Sequence, residues 1–141
     1  MKDGTIYLQK EARIEVPGAF DWRLPGGKVV DTFAEYKKYF TSPLPKEMIL
    51  KAALKELAEE AGLTGQAELF TKKVCGATVE WDLYYVVVTN VTNTVLDHEH
   101  NEGEQVEKSG WFSFEEIRSM AEKGEIGEGR SVAALLEYLH R

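Results

Sequence analysis

Between Pro45 and Leu63 the chain has little choice but to form a helix. Leu50, Leu54, Leu57 and Ala61 recur at three- and four-residue steps, the spacing that lines one helical face. Proline suits a first turn and not an interior, so the start falls near Pro45 or Lys46. Gly62 stands where a left-handed residue would end the helix. At about 100° per residue, Glu56, Glu59 and Glu60 project into one arc of roughly 100°, beside the apolar stripe rather than on it. Three carboxylates in one arc repel unless a cation sits among them. A solvated helix face accounts for the same pattern, since glutamate is a good helix former. The order of the surrounding residues bears on the choice.

Upstream lies a tight turn, Leu24-Pro25-Gly26-Gly27-Lys28. Taken with Glu47 and the segment Lys55-Glu56-Leu57-Ala58-Glu59-Glu60-Ala61-Gly62-Leu63, it resembles the signature of the Nudix hydrolases, G-x5-E-x7-R-E-U-x-E-E-x-G-U, where U is a bulky aliphatic residue. Gly27 fits the first glycine, Glu47 the first glutamate, and Glu56, Leu57, Glu59, Glu60, Gly62 and Leu63 the rest. Two departures stand out. Nineteen residues separate Gly27 from Glu47 where the pattern has five, an insertion of about fourteen that a surface loop absorbs at modest entropic cost. Lys55 occupies the usual arginine position, keeping the charge but losing the planar two-pronged donor.

The resemblance implies an α/β fold, a Nudix-type α/β/α sandwich around a small mixed β-sheet, formed by residues 1–141 as one domain with the inserted segment at about 30–45. It implies metal-dependent cleavage of a pyrophosphate bond in a nucleoside diphosphate linked to another moiety, ADP-ribose or nucleotide-sugar type first and nucleoside triphosphate next. Such a bond is guarded by two anionic phosphates, so divalent cations must offset charge and a positioned water must lose a proton. Mg2+ or Mn2+ prefers oxygen ligands. By resemblance these are Glu56, Glu59 and Glu60 with the carbonyl of Gly27. Glu56, Glu59, Lys55 and Glu104 form the implied catalytic set, with Glu56 or a glutamate of the acidic loop, Glu104, taking the proton. Lys55 would orient Glu56 or screen the cluster, and Glu47 is structural. Trp22, Arg23 and Lys28, around the glycine turn, are the implied substrate contacts. A small-molecule nucleotide is the expected partner, with a homodimer as a further option.

Composition narrows the field. The 141 residues suffice for one domain with a proper core. A net charge of −7 argues against an extended nucleic-acid surface, though not against one nucleotide held through metal. Cys75 is the only cysteine, so no internal disulfide forms; the chain suits a reducing cytoplasm, and Cys75 reads as a small buried apolar residue. No signal peptide and no apolar run of membrane-spanning length are present.

Lys2-Asp3-Gly4 is a turn signal and Thr5 to Gln9 alternates as a strand does. A Nudix domain usually has a strand before that turn, so either such a strand is missing here or an edge is left open for a partner strand. From Lys10 to Asp21 a loop or ragged hairpin is expected, and Phe20 and Trp22 either line a ring pocket or pack in the core. In the insertion, Asp31 or Thr32 would cap a short helix carrying Phe33, Tyr36, Lys37 and Phe40, whose aromatic face would serve as a substrate lid, a dimer contact or simple packing. Thr64-Gly65 would turn the chain into a strand over Ala67 to Val74, followed by one at Ala77 to Trp81. The apolar run Leu83 to Thr89 predicts a central strand buried on both faces. Asp97 to Glu107, with His98 and His100, reads as an exposed acidic loop in which zinc is a minor alternative. Ser113 and Glu116 are spaced as a capping box, and a last helix from about Ser131 would bury Val132, Leu135, Leu136 and Leu139. Beside the hydrolase stand two readings of other classes: a non-catalytic nucleotide-binding or regulatory Nudix domain, and a structural interaction module.

Overall fold

A computed structural model of the chain describes residues 1, 3–12, 20–76, 81–94 and 106–141, with the backbone alone for 106 and 107. The elements run β1 (Thr5–Ala12), β2 (Phe20–Arg23), α1 (Phe33–Tyr39), α2 (Lys46–Ala61), β3 (Leu63–Cys75), β4 (Trp81–Asn93), β5 (Val106–Ser113), α3 (Phe114–Glu122) and α4 (Gly129–Leu139). They fall into two compact units, Met1–Pro25 with Glu99–Arg141, and Gly26–His98.

In the first unit, β1 is the middle strand of an antiparallel sheet ordered β2-β1-β5. Asp3 and Gly4, both at positive φ, make the turn that leads into it. Ile6, Leu8, Ile117, Met120, Ile126, Leu135 and Leu139 form the buried core. α3 is held at its start by the full Ser113/Glu116 capping box and turns Ile117 and Met120 inward. α4 begins at Gly129, two residues earlier than expected, and buries Ser131, Ala134, Leu135 and Leu139; Val132 and Leu136, expected to be buried, are only half-buried, at the margin of that face. Ile126, in the glycine-punctuated connection, is buried as well. Asp21 is buried on β2, where the Arg23 Nε donates to it at 3.4 Å, and a Cβ on Gly127 would overlap its carboxylate.

The second unit holds α1, α2 and the antiparallel β3–β4 ribbon. α2 has the boundaries that its proline and glycine dictate: Pro45 is the N-cap and Gly62, at φ 63°, the left-handed C-cap, its N–H donating to the Ala58 carbonyl at 3.0 Å. Ile49 is its buried residue, and the leucine stripe is half-buried. The chain turns at Gly62 and not at Thr64-Gly65, since β3 starts at once with Leu63. Gly65 instead sits in a register shift between Thr64 and Gln66, where a Cβ would overlap the Thr89 carbonyl.

Other expectations need correcting. β4 runs from Trp81 to Asn93 and is half-buried rather than enclosed on both faces, being one strand of a two-stranded ribbon. Cys75 is half-buried too, near the end of that ribbon. The acidic segment gives way to β5 by Val106, so Glu107 lies in a strand; Glu104, His98 and His100 lie outside the described residues, as do 77–80.

Candidate active site

The glycine turn and the carboxylates of α2 belong to the same unit, and the turn's backbone closes onto the helix. The Gly26 N–H donates to Oε2 of Glu60 at 3.1 Å. The Lys28 N–H donates to the carboxylate of Glu56, one helical turn earlier. Between them Gly27 lies so close to Glu56 that any Cβ would overlap the carboxylate carbon and both its oxygens. Glycine is required here for close approach, not for φ. Amides directed at carboxylates make charge-assisted bonds, stronger than neutral ones, so the turn is fixed against the acidic arc of the helix.

Glu56 is the electrostatically strained member. Burial, first, and the neighbouring Glu59 push its pKa above the ordinary glutamate value, Asp31 adds to this, and Lys55 and the Lys28 amide offset it only in part. It therefore holds a proton more readily than a free glutamate. Displaced pKa values of this kind gather at functional sites, although structural networks also produce them.

Lys55 is 57% exposed, with its ammonium 3.8 Å from Glu59 and 3.9 Å from Asp31. It meets Glu56 as a nearby charge. Asp31 was not legible as a site residue, for nothing in the local sequence distinguishes it from a helix-capping aspartate. Glu47 is exposed in the first turn of α2, where its charge complements the helix dipole. Lys28 has an exposed side chain. Trp22 and Arg23 lie in the other unit. Trp22 meets Phe112 edge-on at 4.8 Å and its backbone N–H donates to the Glu125 carbonyl at 3.2 Å, while Arg23 pairs with Asp21 at 3.4 Å and Glu11 at 3.7 Å.

Among the described residues no three carboxylate, imidazole or thiol side chains already surround a common point. The donor chemistry nevertheless fits a hard divalent cation. Glu56, Glu59 and Glu60 offer only oxygens from one arc, two of them are positioned by the turn, and the reluctance of Glu56 to ionise is what a cation would relieve.

A family model described as the NUDIX domain matches residues 1–135. The chain belongs to the Nudix family. The Nudix match takes in the glycine turn, the insertion and the glutamate helix alike, together with the strands and α3 of the first unit and the start of α4. The mixed α/β content, small sheets and four helices among the described residues, is consistent with the Nudix α/β/α sandwich. The Nudix family is one of pyrophosphohydrolases acting on nucleoside diphosphate derivatives, generally with divalent metals. No curated protein matches the chain. No helix among the described residues is long and apolar enough to cross a membrane.

Proposed function

We propose that this Nudix chain is a single-domain, metal-dependent hydrolase that cleaves the pyrophosphate bond of a nucleoside diphosphate linked to another moiety, with ADP-ribose or a nucleotide sugar ahead of nucleoside triphosphates. The observation that carries the reading is the closure of the Gly26–Lys28 backbone onto Glu56 and Glu60. Glu56, Glu59 and Glu60, with the Gly27 carbonyl, are assigned to Mg2+ or Mn2+. When bound, the cation supplies positive charge against the repulsion between phosphates and an incoming hydroxide.

The rest belongs to the chain. Glu56, whose pKa is raised, accepts the proton of the attacking water; the water oxygen forms a bond to phosphorus, and the bridging P–O bond breaks with its electron pair on the departing phosphate. Glu104 is the second candidate for that proton. Lys55 screens Glu59, and Lys28 offers an exposed cation to the phosphates. Trp22 and Arg23 are assigned to substrate on their position just before the turn.

A binding domain without turnover is the second reading. It is favoured by one observation, the turning of Lys55 toward Glu59 and Asp31 instead of Glu56. Incubation of the full chain with a panel of nucleoside diphosphate compounds and Mg2+ or Mn2+, scored for released phosphomonoesters, separates the two. Turnover abolished by Glu60→Gln is expected. Nucleotide binding with no turnover at any metal concentration establishes the second reading and rejects the first.

A further inference from the structure

α1 is set on the molecule with its apolar face outward. At about 100° per residue, Phe33, Tyr36, Lys37 and Phe40, its C-cap, share one arc of roughly 100°, while Glu35 falls on the opposite side and Tyr39 beside the arc. Glu35 and Tyr39 are half-buried, whereas Phe33 is 80%, Tyr36 53% and Phe40 70% exposed. The rings of Tyr36 and Phe40 already stand together, 5.6 Å between centroids. This corrects the packing option for the insertion, since the aromatics do not pack on the domain. The helix is nonetheless well specified, with a complete Thr32/Glu35 capping box.

We infer that the outward face of α1 is the platform on which the nucleotide base of the substrate stacks, with Lys37 meeting its phosphate. The inference rests on the hydrolase reading and names where that site recognises the nucleoside. Three observations favour this occupant. Phe33 follows Gly27 by six residues, a reach of about 20 Å at most, and Asp31 at the foot of α1 lies 3.9 Å from Lys55 on the glutamate helix. Three aromatic rings and a lysine in one arc match a flat anionic ligand, in a chain whose net charge is −7. The exposed ring surface is also small. Taking each ring residue at about 200 Å², it totals about 400 Å², half of the roughly 800 Å² per partner that a stable protein interface buries.

The test uses the full chain with Mg2+, and AMP and ribose 5-phosphate as a matched pair of probes with and without a base. Tyr36→Ala/Phe40→Ala is expected to raise the KM for ADP-ribose and weaken AMP binding by at least about tenfold. Ribose 5-phosphate binding and the melting temperature should be unmoved, and Tyr36→Phe should restore AMP affinity. Unchanged AMP binding overturns the inference, as does equal weakening of both probes. Dissociation of an oligomer with kinetics per folded molecule preserved overturns it in favour of a second copy of the chain. A wild type that binds AMP over ribose 5-phosphate through these rings but hydrolyses nothing upholds the platform and rejects the hydrolase.

Discussion

Glu56 is held by two opposing requirements. Lys28's amide and the bare Cα of Gly27 fix its carboxylate in place, while burial and the charges of Glu59 and Asp31 make that place uncomfortable for an ion. Its pKa in the folded chain is above the ordinary glutamate value, so the folded state binds its proton more tightly than the unfolded state does. Ionised Glu56 therefore subtracts stability above the raised pKa, and the subtraction disappears as pH falls below 4.5. Glu56→Gln keeps an oxygen for the Lys28 amide and removes the charge. In EDTA it is expected to raise the urea midpoint at neutral pH, with the advantage fading toward pH 4.5, and to lose turnover with metal. A variant less stable than wild type at neutral pH would show that the carboxylate is not under strain. The three glutamates were legible in the sequence because helical spacing is local information. Asp31 was not, since only the folded chain carries it to Lys55.

At the scale of elements, two capping boxes of the same chemistry should behave differently. Ser113 caps α3, which buries Ile117 and Met120, whereas Thr32 caps α1, which buries nothing. Ser113→Ala is expected to cost about 1 kcal/mol of global stability. Thr32→Ala should fray α1, seen as faster amide exchange over 33–40, while leaving the denaturation midpoint within error. Equal global losses would mean that α1 is integrated with the core after all. Helix ends read well from sequence for the reason these caps matter: Pro45, Gly62, Ser113 and Thr32 act on their own backbone neighbours. Burial read poorly. The apolar run of β4 fits an enclosed strand by composition, yet its ribbon has one partner and it stays half-buried, while Ile49 and Ile126 are deeply placed without any periodic signal. Which face is covered depends on what the fold lays against it.

For the whole molecule, seventeen basic residues stand against twenty-four acidic ones, and part of that excess is concentrated on one arc of α2. Filling the arc with a divalent cation should stabilise the chain by mass action, about 2.7 kcal/mol at a concentration one hundred times the dissociation constant. Thermal melts are expected to shift upward with millimolar Mg2+ in wild type and not in Glu56→Gln/Glu60→Gln. An equal shift with NaCl at matched ionic strength would reduce the effect to general screening. The glutamates that would respond are carried on a helix joined without slack to the ribbon behind it. Gly62 closes α2 with its N–H, and its carbonyl accepts from the Thr94 N–H at 2.8 Å beyond the end of β4, while β3 departs from the very next residue. The two ends of the glutamate helix thus differ in how far the chain can lengthen. Some fourteen residues have been accommodated ahead of it. Behind it, a single added residue would swing the whole ribbon about the helix axis, so length variation in relatives of this chain should accumulate before Glu47 and stop at Gly62.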